Sequence, residues 1–231
     1  MLSVTDLSYS YGSVKALDRI NMTVAPRSIT CILGRNGVGK TTLMKSLMGV
    51  LRPDAGSIAL RERDIARWPA HRRTRAGLGL VPQGRHIFPK LTVEENLRIG
   101  LQGRTDRQRS IPEHIYELFP VLKQMGSRRG GDLSGGQQQQ LAIGRALAGD
   151  PRVLLLDEPT EGIQPNIIQQ IGQVLRRLVD EMAMTVVLVE QYLDFVREIG
   201  DHTYILSSGR VVEESPADQI TSDMIRQHLS V

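Results

Sequence analysis

Apolar and polar residues alternate along "LSVTDLSYSYG" at the start of the chain and along "INMTVAP" from Ile20, and both stretches are rich in β-branched types. A period of two marks strands with one buried face, so this opening predicts an antiparallel sheet. "SITCILG" breaks the alternation with a continuous apolar run ending at a glycine, the pattern of a strand covered on both faces. A helical period follows in "GKTTLMKSLMGV", which stops at a glycine. "GSIALRERDI" predicts a further strand pair and "GLGLVPQ" another buried strand.

Over residues 92–149 the strand signals vanish. Thr92 can cap a helix, and Glu95 three positions on completes a capping box. "TDRQRS", Pro112 and "GSRRGGD" punctuate further helical pieces, so a helical lobe is inserted between strands. Strand patterns resume with "RVLLLDEP", then the helix "NIIQQIGQVLRRLVDEM", the strand "TVVLVEQ", the helix "YLDFVREIG" and the pair "HTYILSSGRVVEES". Strands alternating with helices make the fold class α/β, a mostly parallel sheet with helices on both faces. One domain is predicted over residues 1–231, with a core lobe over about 1–85 and 150–231 and a helical lobe over about 86–149.

The stretch "GRNGVGKTT" lies between a predicted strand and a predicted helix, the context in which G-x-x-x-x-G-K-[ST] is a phosphate-binding loop. It comprises Gly34, Arg35, Asn36, Gly37, Val38, Gly39, Lys40, Thr41 and Thr42. Glycines let backbone N–H groups wrap phosphates; Lys40 can reach the β and γ oxygens, and the Thr41 hydroxyl can ligate Mg²⁺. "RVLLLDE" supplies the matching half: its apolar run carries Asp157 to the carboxyl end of a buried strand, where ligands of α/β sheets bind. Asp157 can hold Mg²⁺, directly or through water, and Glu158 can polarise an attacking water. Kinases, GTPases and helicases share this much.

"DLSGGQQQQLAIGRAL" discriminates among them. A helix is predicted to begin near Gln137, behind Ser134, Gly135 and Gly136, where hydroxyl, free N–H groups and helix dipole suit a second γ-phosphate site. Two such sites in one chain are most simply used head-to-tail, the loop of one subunit holding ATP while a partner's "LSGGQ" closes on it. "LSGGQ" together with "GRNGVGKTT" and "LLLDEP" resembles the ATP-binding-cassette family over essentially the whole chain. The resemblance implies a P-loop NTPase (RecA-like) parallel sheet core, an N-terminal antiparallel β-subdomain and an inserted α-helical subdomain. It implies ATP and Mg²⁺ as cofactors, ATP hydrolysis, and a dimer with a second, identical or different, cassette subunit.

Several further roles are implied by that resemblance alone. Tyr11 resembles the aromatic residue that stacks on adenine, the alternative being an ordinary edge-strand tyrosine. Gln83 resembles the glutamine that approaches Mg²⁺ and the attacking water. "GRHIFPKLTVEENL" resembles the surface that receives a membrane subunit's coupling helix, so permease subunits are expected to dock near Gln83–Leu97; Phe88 there is either an exposed anchor or a core residue. Two positions depart from the common pattern: Gln164 stands where many members have Asp, and Gln191 where most have the histidine that contacts the γ-phosphate. Both departures are familiar from the branched-chain amino acid and urea or short-amide importers, and "VPQGRHIFPKLTVEENL", "SGGQQQQLAIGRAL" and "DEPTEGIQP" look most like the urea-type members.

Composition narrows the alternatives. With 40% hydrophobic and 23% charged residues the chain of 231 residues can bury one good core. A single cysteine, Cys31, in an apolar run excludes an internal disulfide and reads as a small core residue. The net charge of +4 is matched by residues 61–75 alone, where six arginines face Glu62 and Asp64. Aromatics are only 4%, so a solvated amphipathic face is the better reading than phosphate-backbone binding, and no nucleic-acid partner is expected. With neither a signal peptide nor a membrane-length apolar run, the expected location is cytoplasmic, peripheral on the inner face of the plasma membrane. A soluble cassette ATPase unattached to a transporter, and a nucleotide-gated clamp with negligible hydrolysis, are the competing functions.

Overall fold

A computed structural model describes residues 2–229. The alternating opening forms β1 (Leu2–Tyr11) and β2 (Val14–Val24), and the apolar run forms β3 (Ile29–Leu33), buried at every position. α1 (Lys40–Met48), β4 (Ala55–Leu60), β5 (Arg63–Asp64), α2 (Ala70–Arg75) and β6 (Leu78–Val81) follow. The helical lobe holds α3 (Val93–Gly100), α4 (Glu113–Leu118), α5 (Pro120–Gln124) and α6 (Gly135–Ala148). The chain then returns through β7 (Val153–Asp157), α7 (Pro165–Asp180), β8 (Thr185–Glu190), α8 (Leu193–Ile199), β9 (His202–Ser207), β10 (Arg210–Pro216) and α9 (Ser222–Leu229).

The strands form two sheets, a six-stranded one in the order β10-β9-β3-β8-β7-β6 and a four-stranded one in the order β2-β1-β4-β5. In the larger sheet only β10 runs antiparallel to its neighbour. The smaller sheet is antiparallel throughout, so the expected α/β core with an N-terminal antiparallel subdomain is observed. Leu33 pairs with Glu190 and Asp157 with Val189, which sets the carboxyl ends of β3, β8 and β7 side by side. The glycine loop leaves β3, Glu158 leaves β7 and Gln191 leaves β8 at this one edge.

Each central strand is buried on both faces because two apolar layers cover it. Leu154, Leu156, Val186 and Leu188 point into the layer made by the helical lobe, α7 and α8. Val153, Leu155, Val187 and Val189 point into the layer shared with α1 and the smaller sheet. Cys31 is buried in the first layer, where burial pushes its thiol pKa far up, as befits a core residue. The two sheets are stitched together at Asp18, whose carboxylate accepts from Arg210 Nε at 2.7 Å and whose N–H donates to the Gly209 carbonyl at 2.8 Å. The Arg210 guanidinium, helped by Lys15, holds the Asp18 carboxyl below its usual range.

Two sequence expectations are corrected. The helix behind "LSGG" begins at Gly135 rather than near Gln137, because Ser134 is its N-cap and Gln137 the third residue of its capping box. The basic stretch 61–75 is a solvated face at five of its arginines, but Arg73 is 0% exposed. Its Nη1 donates to the carbonyls of Ser46 at 2.6 Å and Leu47 at 2.7 Å, its Nη2 to Ala66 at 2.9 Å and its Nε to Trp68 at 3.0 Å. A helix end leaves carbonyls unpaired and carries partial negative charge, and a buried guanidinium answers both. Gly49 permits the approach, since a Cβ there would lie 2.7 Å from Arg73 Nε. Burial lowers the Arg73 pKa to about 10, which keeps it charged at neutral pH.

Candidate functional site

The glycine loop wraps the start of α1. Gly39 is the N-cap in a left-handed conformation with φ of 109°, and no side chain caps the helix. A Cβ at Gly39 would meet the Ala16 carbonyl at 2.4 Å, so the position is closed to any other residue. The first turn of a helix has N–H groups without intrahelical partners, and here they face a cleft of about 530 Å³. Asn36, Gly37, Val38, Gly39, Lys40, Thr41 and Thr42 line it, with Gln83 and Glu158 across from them and Tyr11 at the rim. Tyr11 is 50% exposed, its ring edge-on to Tyr9 at 4.9 Å and its hydroxyl 3.5 Å from Thr42 Oγ1.

Lys40 is 4% exposed, and its ammonium donates to the carbonyls of Gly34 at 2.8 Å and Arg35 at 3.0 Å. It also lies 3.3 Å from Glu158 Oε1. Glu158 is gripped from two more sides: Gln83 Nε2 donates to its Oε2 at 3.2 Å and Gln191 Nε2 to its Oε1 at 2.8 Å. Its backbone φ of 49° is left-handed, a strained conformation that persists where surrounding contacts over-determine it. Gln191 also donates to Asn36 Oδ1 at 2.8 Å, so it ties the loop after β8 to the glycine loop.

Asp157 is buried, and burial is the chief cause that raises its pKa; the Thr41 hydroxyl donates to its carboxylate. Its Oδ1 has no hydrogen-bond partner among the described residues, and a buried carboxylate oxygen left over beside a hydroxyl is where a cation fits. Among the described residues no three His, Cys, Asp or Glu side chains gather into a self-sufficient metal site. The cation would therefore be held by Thr41, Asp157 and Gln83 together with phosphate oxygens, a donor set that suits Mg²⁺.

The start of α6, where a second anion site was expected, stands apart from the cleft. Ser134 Oγ accepts from Gln137 N–H at 3.4 Å and Gln137 Oε1 accepts from Ser134 N–H at 2.9 Å, so the start of α6 is capped by its own side chains. None of Ser134, Gly135, Gly136 or Gln137 lines the cleft. Two other glutamines of the run brace the helix, Gln138 Nε2 donating to the Leu133 carbonyl at 3.2 Å and Gln140 Nε2 to Gln170 Oε1 at 3.4 Å, while Gln139 is buried with its Nε2 unpartnered among the described residues.

The segment between Gln83 and α3 has contacts that the sequence pattern gave no sign of. Gly84, Arg85 and His86 are consecutively left-handed, with φ of 77°, 68° and 46°. Arg85 donates to Gln138 Oε1 and to the Glu161 carbonyl, each at 3.4 Å, and its own carbonyl accepts from Arg145 at 3.3 Å. Asn96, fully buried, clasps Phe88 by accepting from its N–H at 2.8 Å and donating to its carbonyl at 3.0 Å. The Phe88 ring is 45% exposed, with the Arg145 guanidinium 5.2 Å from its centre, which settles it as a surface residue. Gln164 is the N-cap of α7 without a side-chain bond.

This cleft at the edge of a parallel sheet, with its buried lysine and strand-end acids, is that of a P-loop ATPase. The chain belongs to the ABC transporter family, whose profile it matches over residues 17–161. It is 39% identical to the high-affinity branched-chain amino acid transport ATP-binding protein BraG of Pseudomonas aeruginosa, over 98% of this chain and 97% of that protein. It is 35% identical to the probable branched-chain amino acid transport ATP-binding protein LivF of Archaeoglobus fulgidus, over 95% of this chain and 94% of that one. Its fold is similar to a dimeric post-hydrolysis state of the ATP-binding cassette MJ0796 bound to ADP and Pi, with a TM-score of 0.83 and 25% identity over 94% of this chain and 99% of that one. The protein is accordingly an ATP-binding, ATP-hydrolysing transport ATPase.

Proposed function

We propose that this chain energises an importer of branched-chain amino acids as one of two cassette subunits on the inner face of the plasma membrane. The expected urea or short-amide cargo has no counterpart in the relatives described above, whereas two near-full-length relatives are named for branched-chain amino acid transport. The ATPase reading is carried by Glu158, held by Gln83, Gln191 and Lys40 at the mouth of the cleft. ATP would enter with adenine on Tyr11 and its phosphates on the N–H groups of Gly37 to Thr42. Lys40 then exchanges the Gly34 and Arg35 carbonyls for the β and γ oxygens. Thr41, Asp157 and Gln83 would hold Mg²⁺, which would supply positive charge at the phosphates. Glu158 accepts a proton from the attacking water, and Gln191 orients Glu158. Ser134, Gly135, Gly136 and Gln137 of a partner cassette would close on the γ-phosphate.

A permease helix would dock beside Gln83–Leu97. An apolar groove of about 370 Å³ adjoins that segment, lined by Met48, Val50, Leu80 and Ile99 and by Arg145, whose guanidinium lies 5.2 Å from the Phe88 ring centre; Val50 and Ile99 are exposed. Among the described residues no helix is long and apolar enough to cross a membrane, so attachment through a permease is the arrangement proposed. The experiment is reconstitution with the permease and solute-binding subunits of the same transporter. Leucine, isoleucine or valine should stimulate turnover and enter vesicles only with ATP. Glu158→Gln should keep ATP binding, lose most turnover and form a MgATP-dependent dimer. Stimulation by urea instead would overturn the cargo, and turnover near wild type in Glu158→Gln would overturn the base.

A further inference from the structure

We infer that Glu161 is a positioning residue that orients Gln83. This rests on the role given to Gln83 above, and extends it to a residue outside the cleft lining. Gln83 Nε2 donates to two carboxylates at once, Glu158 Oε2 at 3.2 Å and Glu161 Oε2 at 3.0 Å. A primary amide has two N–H donors on one side and a carbonyl oxygen on the other. Two carboxylates attract the donor side and repel the carbonyl, so the pair fixes which way the amide is turned. The carbonyl oxygen is the half left for a cation or a water.

Glu158 is an unsteady tether by itself. Its carboxylate is shared with Lys40 at 3.3 Å and Gln191 at 2.8 Å, and it changes charge when it takes a proton from water. Glu161 lies outside those contacts and takes no part in the proposed proton transfer. Its own place is fixed at the backbone: its N–H donates to the Glu158 carbonyl at 3.3 Å, and its carbonyl accepts from Arg85 at 3.4 Å. Gly162 follows with φ of 65°, which turns the chain away. Gln83 and Arg85 thus hold the side chain and the backbone of the same residue from one loop. Glu161 keeps the amide aligned while Glu158 turns over.

The test uses Glu161→Ala in the full chain. In nucleotide-free, nitrogen-15-labelled protein the Gln83 side-chain amide signals, assigned by their loss in Gln83→Ala, should move toward the position of exposed glutamines. Kinetically, kcat should fall about 3–10-fold with the KM for ATP unchanged, as for loss of one charge-assisted hydrogen bond at a solvated site. Glu161→Gln, which keeps an acceptor oxygen, should fall between the two. In a Gln83→Ala background the same substitution should change kcat less than about twofold, because residues acting through one another are non-additive. Unmoved Gln83 signals, or an equal loss in both backgrounds, would overturn the inference. Absence of any turnover in the wild type would defeat the ATPase reading instead and leave the resonance test standing.

Discussion

Two helices in this chain have glycine at their starts, Gly39 as the N-cap of α1 and Gly135 as the first residue of α6, and their first turns are in opposite conditions. α1 begins at a left-handed Gly39 with no side-chain cap, and its first residue is the buried Lys40. α6 begins at Ser134 with both halves of a capping box in place. Both ends carry the positive pole of a helix and each has a cation nearby, Lys40 at α1 and Arg85 beside Gly135 at α6, but the one at α1 is buried and shares the cleft with the strand-end Glu158. An uncapped end beside a lysine is complete only with an anion on it. A self-capped end is satisfied alone, and its exposed Ser134 can meet a phosphate delivered by another subunit. The contrast supports the proposal that the first site binds within one chain and the second closes on a neighbour's ligand.

The largest effect expected is on the first site. Lys40→Ala removes the buried ammonium that lines the cleft and should abolish useful ATP binding in a calorimetric titration. Ser134→Arg should leave that binding intact and block turnover of the dimer. Mixed dimers of the two variants pair one intact loop with one intact α6 start and should recover one working site. Equal loss of ATP affinity in both single variants would erase the distinction between the helix ends.

The α1 end was legible for a physical reason: glycine spacing, the lysine and the flanking apolar strand are all local to residues 29–48, whereas the α6 start was expected to have free N–H groups and is self-capped. The capping box at Thr92 was legible likewise, and is present, Glu95 N–H donating to Thr92 Oγ1 at 3.1 Å. Arg73 was not, because one arginine among six carries no local mark of burial. Two of its four carbonyl partners come from the end of α1, more than twenty residues away in the chain, where no local pattern shows them. Glu161 and Arg85 were missed because their bonds join loops far apart in the chain. Gln191 was placed at the right edge, but its contacts are Glu158 and Asn36, which a γ-phosphate role had not suggested.

The other end of α1 sharpens the comparison next. Arg73→Ala would leave the buried carbonyls of Ser46, Leu47, Ala66 and Trp68 without their shared donor. The loss should be about 3–5 kcal/mol. For a chain of this size that lowers Tm by roughly 6–20 °C. ATP affinity of the folded fraction should hold, since the charge sits at the far end of the helix. A Tm within about 2 °C of wild type would show that water replaces the guanidinium at small cost.

Gln191 tests the α1 site more gently. Its amide steadies Glu158 but cannot become cationic near neutral pH, whereas a histidine could also donate to a γ-phosphate with charge. Gln191→His should raise turnover by up to about 10-fold, worth roughly 1.4 kcal/mol. Equal rates, alone and with the partner cassette, would mean the glutamine serves as well as a histidine.

The smallest effect belongs to the self-capped end. In Gln137→Ala the Ser134 N–H loses its 2.9 Å acceptor, while Ser134 Oγ can still accept from the backbone N–H of residue 137. Half a capping box at a solvent-exposed helix start is worth about 0.5–1 kcal/mol, because water takes over the freed donor. Tm should therefore fall by roughly 1–4 °C. ATP affinity of the single chain should be unchanged, because no residue of the α6 start lines the cleft. Thermal melts with and without ATP check both halves of this expectation: ligand binding to the folded state adds the same increment to wild type and variant if affinity is unaltered. A smaller increment in the variant would mean that the α6 start reaches the nucleotide held by its own chain, and the separation between the two helix starts would fail.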